Sequence, residues 1–180
     1  MNFKKIVPVF LLAILISTPI LATNTDPIKD KKTKTIVAVA ASNPNFTTLV
    51  AAVKAAGLVD VLNSDGPFTV FAPVNAAFSK LPEGTVATLL KPENIKLLTS
   101  ILTYHVVAGQ FVAKDILKAI NDNNGKFVVK TVQGGNLTAS LKEGKVILTD
   151  EKGNVSTVTI TDVSASNGII HAIDSVVMPK

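Results

Sequence analysis

The sequence predicts an α+β fold in a single domain. Two patterns carry this. In the first half, apolar residues recur at i, i+3, i+4 and i+7, as on one face of a helix. In the second half, β-branched runs alternate with short turns containing Gly and Asn. Helices followed by a run of strands give α+β rather than an alternating βαβ sheet. A third observation sets the size. The chain has 180 residues, 47% hydrophobic and 17% charged. That suits one packed core and excludes both a disordered chain and a polytopic membrane protein.

Each element has a local reason. Thr35–Ala41 reads as a short helix. Asn43 is a cap and Pro44 a first-turn residue for the next one, whose face is Phe46, Leu49, Val50 and Val53; Gly57 stops it. Leu58–Leu62 adds a turn. Phe68–Ala72 is a strand between Gly66-Pro67 and Pro73. Asn75 reads as the cap of a helix with Phe78 and Leu81 on its apolar face. Pro92 opens a helix whose face is Ile95, Leu98 and Leu102, and a strand is expected from Tyr104 to Val107. Lys114–Ile120 is a helix ended near Gly125. The β-rich runs are Phe127–Val132, Leu137–Leu141, Val146–Thr149, Val155–Val163 and Ile169–Val177. Turns at Gly134-Gly135-Asn136, Glu143-Gly144 and Lys152-Gly153-Asn154 make them hairpins.

The N-terminus reads as an address. Lys4 and Lys5 precede an apolar run from Ile6, and Ala22 is followed by polar Thr23-Asn24-Thr25. This is a secretory signal over residues 1–22, too short and too interrupted for a stable membrane span. Residues 23–34 form a charged linker with little to bury, and 35–180 is the domain. The expected location is secreted or periplasmic. Removing Lys4 and Lys5 with the signal lowers the net charge from +5 to +3.

All 18 basic residues are lysine. Without arginine, the bidentate forks that read phosphate and guanine are missing, so nucleic acid is discounted as a partner. There is no cysteine, which excludes disulfides, thiolate metal sites and cysteine nucleophiles. This composition reads as bacterial. Three glycosylation sequons start at Asn45, Asn136 and Asn154.

No nucleophile elbow, Walker loop, dinucleotide fingerprint or HExxH motif occurs, and Asp150-x-Lys152-x-Asn154 lacks the terminal Glu of a calcium loop. His171 and Asp174 are three apart in an expected strand, hence on opposite faces. His105, in an apolar segment, reads as a hydrogen-bonded core residue rather than a base. The expectation is a non-enzyme with no catalytic residues, metal or cofactor.

Four segments in order resemble a fasciclin domain. They are Ser42–Leu49; Gly66–Phe78, containing Thr69, Asn75 and Phe78; Tyr104-His105-Val106-Val107; and Asn167–Pro179, containing His171 and Asp174. Val74 departs from the Thr usual before that Asn. The resemblance covers about Thr35 to Lys180. It implies a wedge-shaped β-sandwich with helices packed along one edge. It implies an extracellular interaction module for cell adhesion or for binding a cell-surface or matrix protein or polysaccharide. Tyr104-His105 is similar to a pair linked to adhesion in animal relatives, and Asp115-Ile116 to a motif assigned there to integrin contact. The physical alternatives are a buried hub for the first and a helix start with an N-terminal acid for the second. The alternative function is carriage of an apolar small molecule such as a carotenoid, which some algal members of the family bind, in a groove between helices and sheet.

Overall fold

The computed structural model describes residues 34–180. The expected signal peptide and nearly all of the linker lie outside the described residues. Short helices come first: α1 (Ile36–Ala41), a 3-10 turn (Pro44–Phe46), α2 (Thr47–Ala55) and α3 (Val59–Asn63). Strand β1 (Phe68–Pro73) follows, then α4 (Asn75–Ser79), α5 (Thr85–Leu89), a second 3-10 turn (Pro92–Asn94) and α6 (Ile95–Tyr104). Next come β2 (Val106–Ala108) and α7 (Ala113–Asp122). The chain ends in β3 (Lys126–Lys130), β4 (Asn136–Lys142), β5 (Lys145–Thr149), β6 (Val155–Ala165) and β7 (Gly168–Ile173).

The strands form one sheet in the order β2-β1-β7-β6-β5-β4-β3. A bridge between Val107 and Thr131, just beyond β3, draws the two ends of that order together into a near-barrel. β6 makes this curl possible. Its register against β7 shifts twice, around Ile160, and Asp162 there takes a left-handed φ of 58°. The halves of the curled sheet face each other across a core, which is the sandwich the resemblance implies.

β1 and β7 pair in parallel, from Phe68 with Gly168 to Pro73 with Ile173. Parallel strands covered on both faces read as unbroken apolar runs, as these two do. Val70, Ala72, Ile170 and Ala172 pack outward against Ile36, Phe46, Leu49 and Leu102 of the helical layer. Phe71 and Ile173 point inward to Tyr104, Leu137, Leu148 and Ile120.

Three expectations are corrected. Tyr104 and His105 are not in a strand: α6 runs through Tyr104, His105 closes it in helical conformation, and β2 begins at Val106. The i+3/i+4 face of α6 continues through Ile101 and Leu102, so the helix has apolar reason to persist. The last strand ends at Ile173, where the chain turns away through Asp174. Asn75 does not cap its own helix. It is the first residue of α4, which starts behind Val74 without a side-chain cap.

Candidate functional site

Tyr104 and His105 end α6 inside the fold, not on its surface. The Tyr104 hydroxyl donates to the Asn136 carbonyl at 2.6 Å and accepts from the Glu151 backbone N–H at 3.3 Å. Burial raises the phenol pKa. His105 Nδ1 lies 2.8 Å from the Ile101 carbonyl, and Nε2 accepts from the Val177 N–H at 3.3 Å. The carbonyl requires a donor and the N–H an acceptor, so the ring is neutral with its proton on Nδ1. Burial pushes its pKa down to about 4, against the opposing pull of the Ile101 carbonyl and the Asp150 charge.

His171 takes the opposite tautomer. Nε2 faces the Phe111 carbonyl at 2.8 Å, and Nδ1 accepts from the Asp162 N–H at 3.3 Å. Its ring stacks on Phe71 with centroids 5.7 Å apart. Burial lowers this pKa too, over the opposing effects of Phe111 and Asp162. Thr69, fully buried beside β2, completes the tie. Its hydroxyl donates to the Gly109 carbonyl at 2.7 Å and accepts from the Phe111 N–H at 2.9 Å. His171 and Thr69 thus hold the segment leading into α7 from two neighbouring strands.

Two Asn residues of the signature, and Asp162 just outside it, cap helices remote in sequence. Asn75 Oδ1 accepts from the Thr48 N–H at 3.0 Å and the Thr47 hydroxyl at 3.2 Å, in the first turn of α2, while Nδ2 donates to the Pro44 carbonyl at 2.8 Å. Asn167 Oδ1 accepts from the Ile36 N–H at the start of α1, and Nδ2 donates to the Leu62 and Ser64 carbonyls at the end of α3. Asp162 Oδ1 accepts from the Ala113 N–H at the start of α7. Helix ends leave such groups without partners inside the helix, and here α4, the turn between β6 and β7, and β6 supply them. Phe78 is half-buried against the helical core.

Asp174 and Asp150 order the C-terminal tail. Asp174 Oδ1 accepts from the Thr157 N–H at 2.7 Å, and Oδ2 pairs with Lys80 at 3.2 Å. Burial alone would raise the Asp174 pKa, but the Thr157 N–H, Lys80 and Ser175 together hold it below the ordinary carboxylate value. Asp150, whose spacing with Lys152 and Asn154 fails as a calcium loop, is buried. It accepts from the N–H groups of Lys152, Asn154 and Met178, and from the Asn154 side-chain amide. The turn chemistry of Asp-x-x-Gly-Asn was a usable signal for the local bonds, but nothing in it pointed to Met178.

Asp115 lies exposed in the first turn of α7, and its neighbour Ile116 is buried in the inner core. The structure therefore does not gather the four residues of the two family motifs into one surface. Tyr104, His105 and Ile116 are interior, and Asp115 alone is exposed. Among the described residues no group of three or more His, Cys, Asp or Glu is placed to hold a metal, and no helix is long and apolar enough to cross a membrane. The expected groove between helices and sheet is present as a gap of about 30 Å³, lined among others by Ile36, Leu49, Val53, Leu62 and Ile170. That is room for about two waters, whereas small-molecule sites run to about 300–1,000 Å³.

What the fold leaves open is the outer face of β3 to β6. Side chains alternate along these strands: Phe127, Val129, Leu137, Ala139 and Leu148 enter the core, and Val128, Thr138, Ile147 and Val155 face out. Val128 and Val155 are 57% and 51% exposed.

Comparison with known proteins agrees with this geometry. The family model described as Fasciclin domain matches residues 44–179. Protein sll1483 of Synechocystis sp. is 52% identical over 145 residues, covering 81% of this chain and 73% of that protein. Immunogenic protein MPB70 of Mycobacterium bovis is 46% identical over 149 residues, covering 79% and 68% respectively. Transforming growth factor-beta-induced protein ig-h3 of Sus scrofa is 38% identical, covering 81% of this chain but 19% of that protein. In structure, the chain superposes on the FAS1 domain pair of the insect cell adhesion molecule fasciclin I with a TM-score of 0.69. That match is 22% identical and covers 80% of this chain and 50% of that one. The signature segments, the α+β near-barrel and the family match converge: the chain belongs to the fasciclin-domain family.

Proposed function

We propose that this protein is a secreted or periplasmic, non-catalytic interaction module that mediates adhesion or contact with a surface or matrix component. The observation that carries this is where the signature polar side chains go. Tyr104, His105, His171, Thr69 and Asn167 bond to backbone groups of other elements, and both nitrogens of each histidine ring are engaged. A general base needs a ring nitrogen facing a reacting group, and neither ring offers one. The side chains that look like chemistry build a rigid body, and contact is left to its exposed faces. Family membership supports the same reading, and so does the structural likeness to an insect cell adhesion molecule. In this reading Tyr104, His105 and Ile116 act by shaping the fold, and Asp115 is the motif residue available for direct contact.

The test is adhesion. Beads coated with the mature protein are mixed with cells and cell-wall or matrix material of the source organism. Retention above that of albumin-coated beads is the expected result, and equal retention refutes the proposal. N-terminal sequencing of the extracytoplasmic protein should start close to Thr23. Intact Met1 in membrane fractions contradicts the secreted assignment.

A further inference from the structure

The outer face of β3 to β6 carries a cluster of cations without an ion-pair partner among the described residues. The hairpin between β4 and β5 closes through Glu143 and Gly144, both at positive φ. It sets Lys142 directly opposite Lys145. Lys126 of β3 pairs with Ser140, two residues from Lys142 on the same face, so it lies diagonal to Lys142. Directly opposed residues have Cβ atoms about 4.5–5.5 Å apart and diagonal ones about 7–8 Å, and like charges so placed are destabilising. All three lysines are exposed. Among the described residues the ion pair is Lys80–Asp174, elsewhere in the fold, and Glu143 at the hairpin tip pairs with none of the three.

Between this cluster and Lys130, four residues along β3 and about 14 Å away, the face presents the half-buried hydroxyls of Thr138, Ser140, Thr149 and Thr157, interspersed with the apolar Val128, Ile147 and Val155. At the Lys130 end one acid, Glu151, reaches the Asn136 N–H. No outward position of these strands is aromatic. A base-stacking platform needs aromatic side chains there. Hydroxyls, each donor and acceptor, suit sugar hydroxyls, and the lysines suit carboxylate or sulfate.

We infer that this face docks an anionic polysaccharide, with Lys126, Lys142 and Lys145 as its charged anchor. The inference rests on the interaction-module reading and names the chemistry of its partner. Bound anions would relieve the repulsion that the hairpin register imposes.

The experiment uses the mature protein on immobilised heparin (sulfated), polygalacturonate (carboxylated) and dextran (neutral), and on phosphatidylserine–phosphatidylcholine vesicles. Three proteins are compared: wild type, Lys126→Gln/Lys142→Gln/Lys145→Gln, and Lys54→Gln/Lys91→Gln/Lys96→Gln, which removes equal charge from exposed positions in the helical half of the chain. Wild type is expected to bind at least one polyanion and not dextran. The sheet variant should bind roughly tenfold more weakly, as three exposed ion pairs predict. The helical variant should stay near wild type, and melting of the sheet variant should be unchanged or higher. Equal weakening in both variants overturns the inference, as does binding to vesicles but to neither polyanion, or no polyanion binding at all. If the sheet variant still coats beads that adhere as wild type does, the interaction module stands and this face is not its polysaccharide site.

Discussion

Val177 donates its backbone N–H to Nε2 of His105, 72 residues earlier in the chain, at 3.3 Å. The bond ties the tail beyond β7 to the end of α6, and it works only while the imidazole is neutral. Protonation would place an N–H against an N–H in a site closed to water.

Acid should therefore loosen the fold before the carboxylates protonate. The His105 pKa is about 4 folded and about 6.5 in an unfolded chain. Between those values the unfolded state binds more protons, so stability falls as pH drops from about 6.5 to about 4, and below that this group adds no further loss. The full effect is on the order of 3 kcal/mol. His171, also lowered, acts in the same direction. Urea midpoints measured from neutral to acid pH should show the decline, with a shallower slope in His105→Gln. Equal slopes in the two proteins would show that His105 does not report pH.

Asn75→Ala removes the cap of α2 from outside that helix. It leaves the Thr48 N–H and Pro44 carbonyl without their partner, and a cost of about 1–2 kcal/mol is expected. Asn75→Asp keeps the acceptor but sets a carboxylate against the Pro44 carbonyl, so it should fall between wild type and Ala. Chemical denaturation of the three proteins checks the order.

Gly168→Ala should be among the most damaging single substitutions. A Cβ there would run into the Phe68 carbonyl oxygen of the paired strand and press on Ile36 Cδ1 at 2.9 Å. Backbone cannot swing aside as a side chain does, so β1 and β7 must part. A loss of about 2–4 kcal/mol is expected. Retention of wild-type melting would mean that the β1–β7 pair tolerates separation.

Asp150→Ala leaves the N–H groups of Lys152, Asn154 and Met178 unsatisfied, at about 1–3 kcal/mol for each one that stays buried. Amide exchange should accelerate first at Met178 and Val177, while Ile170 and Ala172 in the central strand keep their protection. Uniform acceleration would place the damage in the whole fold rather than in the tail.

Elements with a local cause are legible in adjacent residues. Periodicity placed the apolar faces of α2 and α6, Gly and Asn turns placed the hairpins, and Pro67 and Pro73 bracketed β1. The family segments, read together, pointed to the fold. Tertiary structure decided what those segments are for. Asn75 looks like the cap of the helix it begins, because cap preference is a local statistic. It caps α2 instead, because the close packing of α2 and α4 brings the Thr48 N–H to its side chain. Tyr104-His105 looks like the start of a strand, because its neighbours are β-branched. It stays helical, because the Asn136 and Ile101 carbonyls and the Val177 N–H are waiting for its polar atoms in the core. The lysine cluster was invisible as spacing, since Lys126 and Lys142 are sixteen residues apart in sequence. Only the register of the hairpins put them on one face. Local propensity is written in adjacent residues, whereas hydrogen-bond partners and surface charge depend on which strands lie side by side.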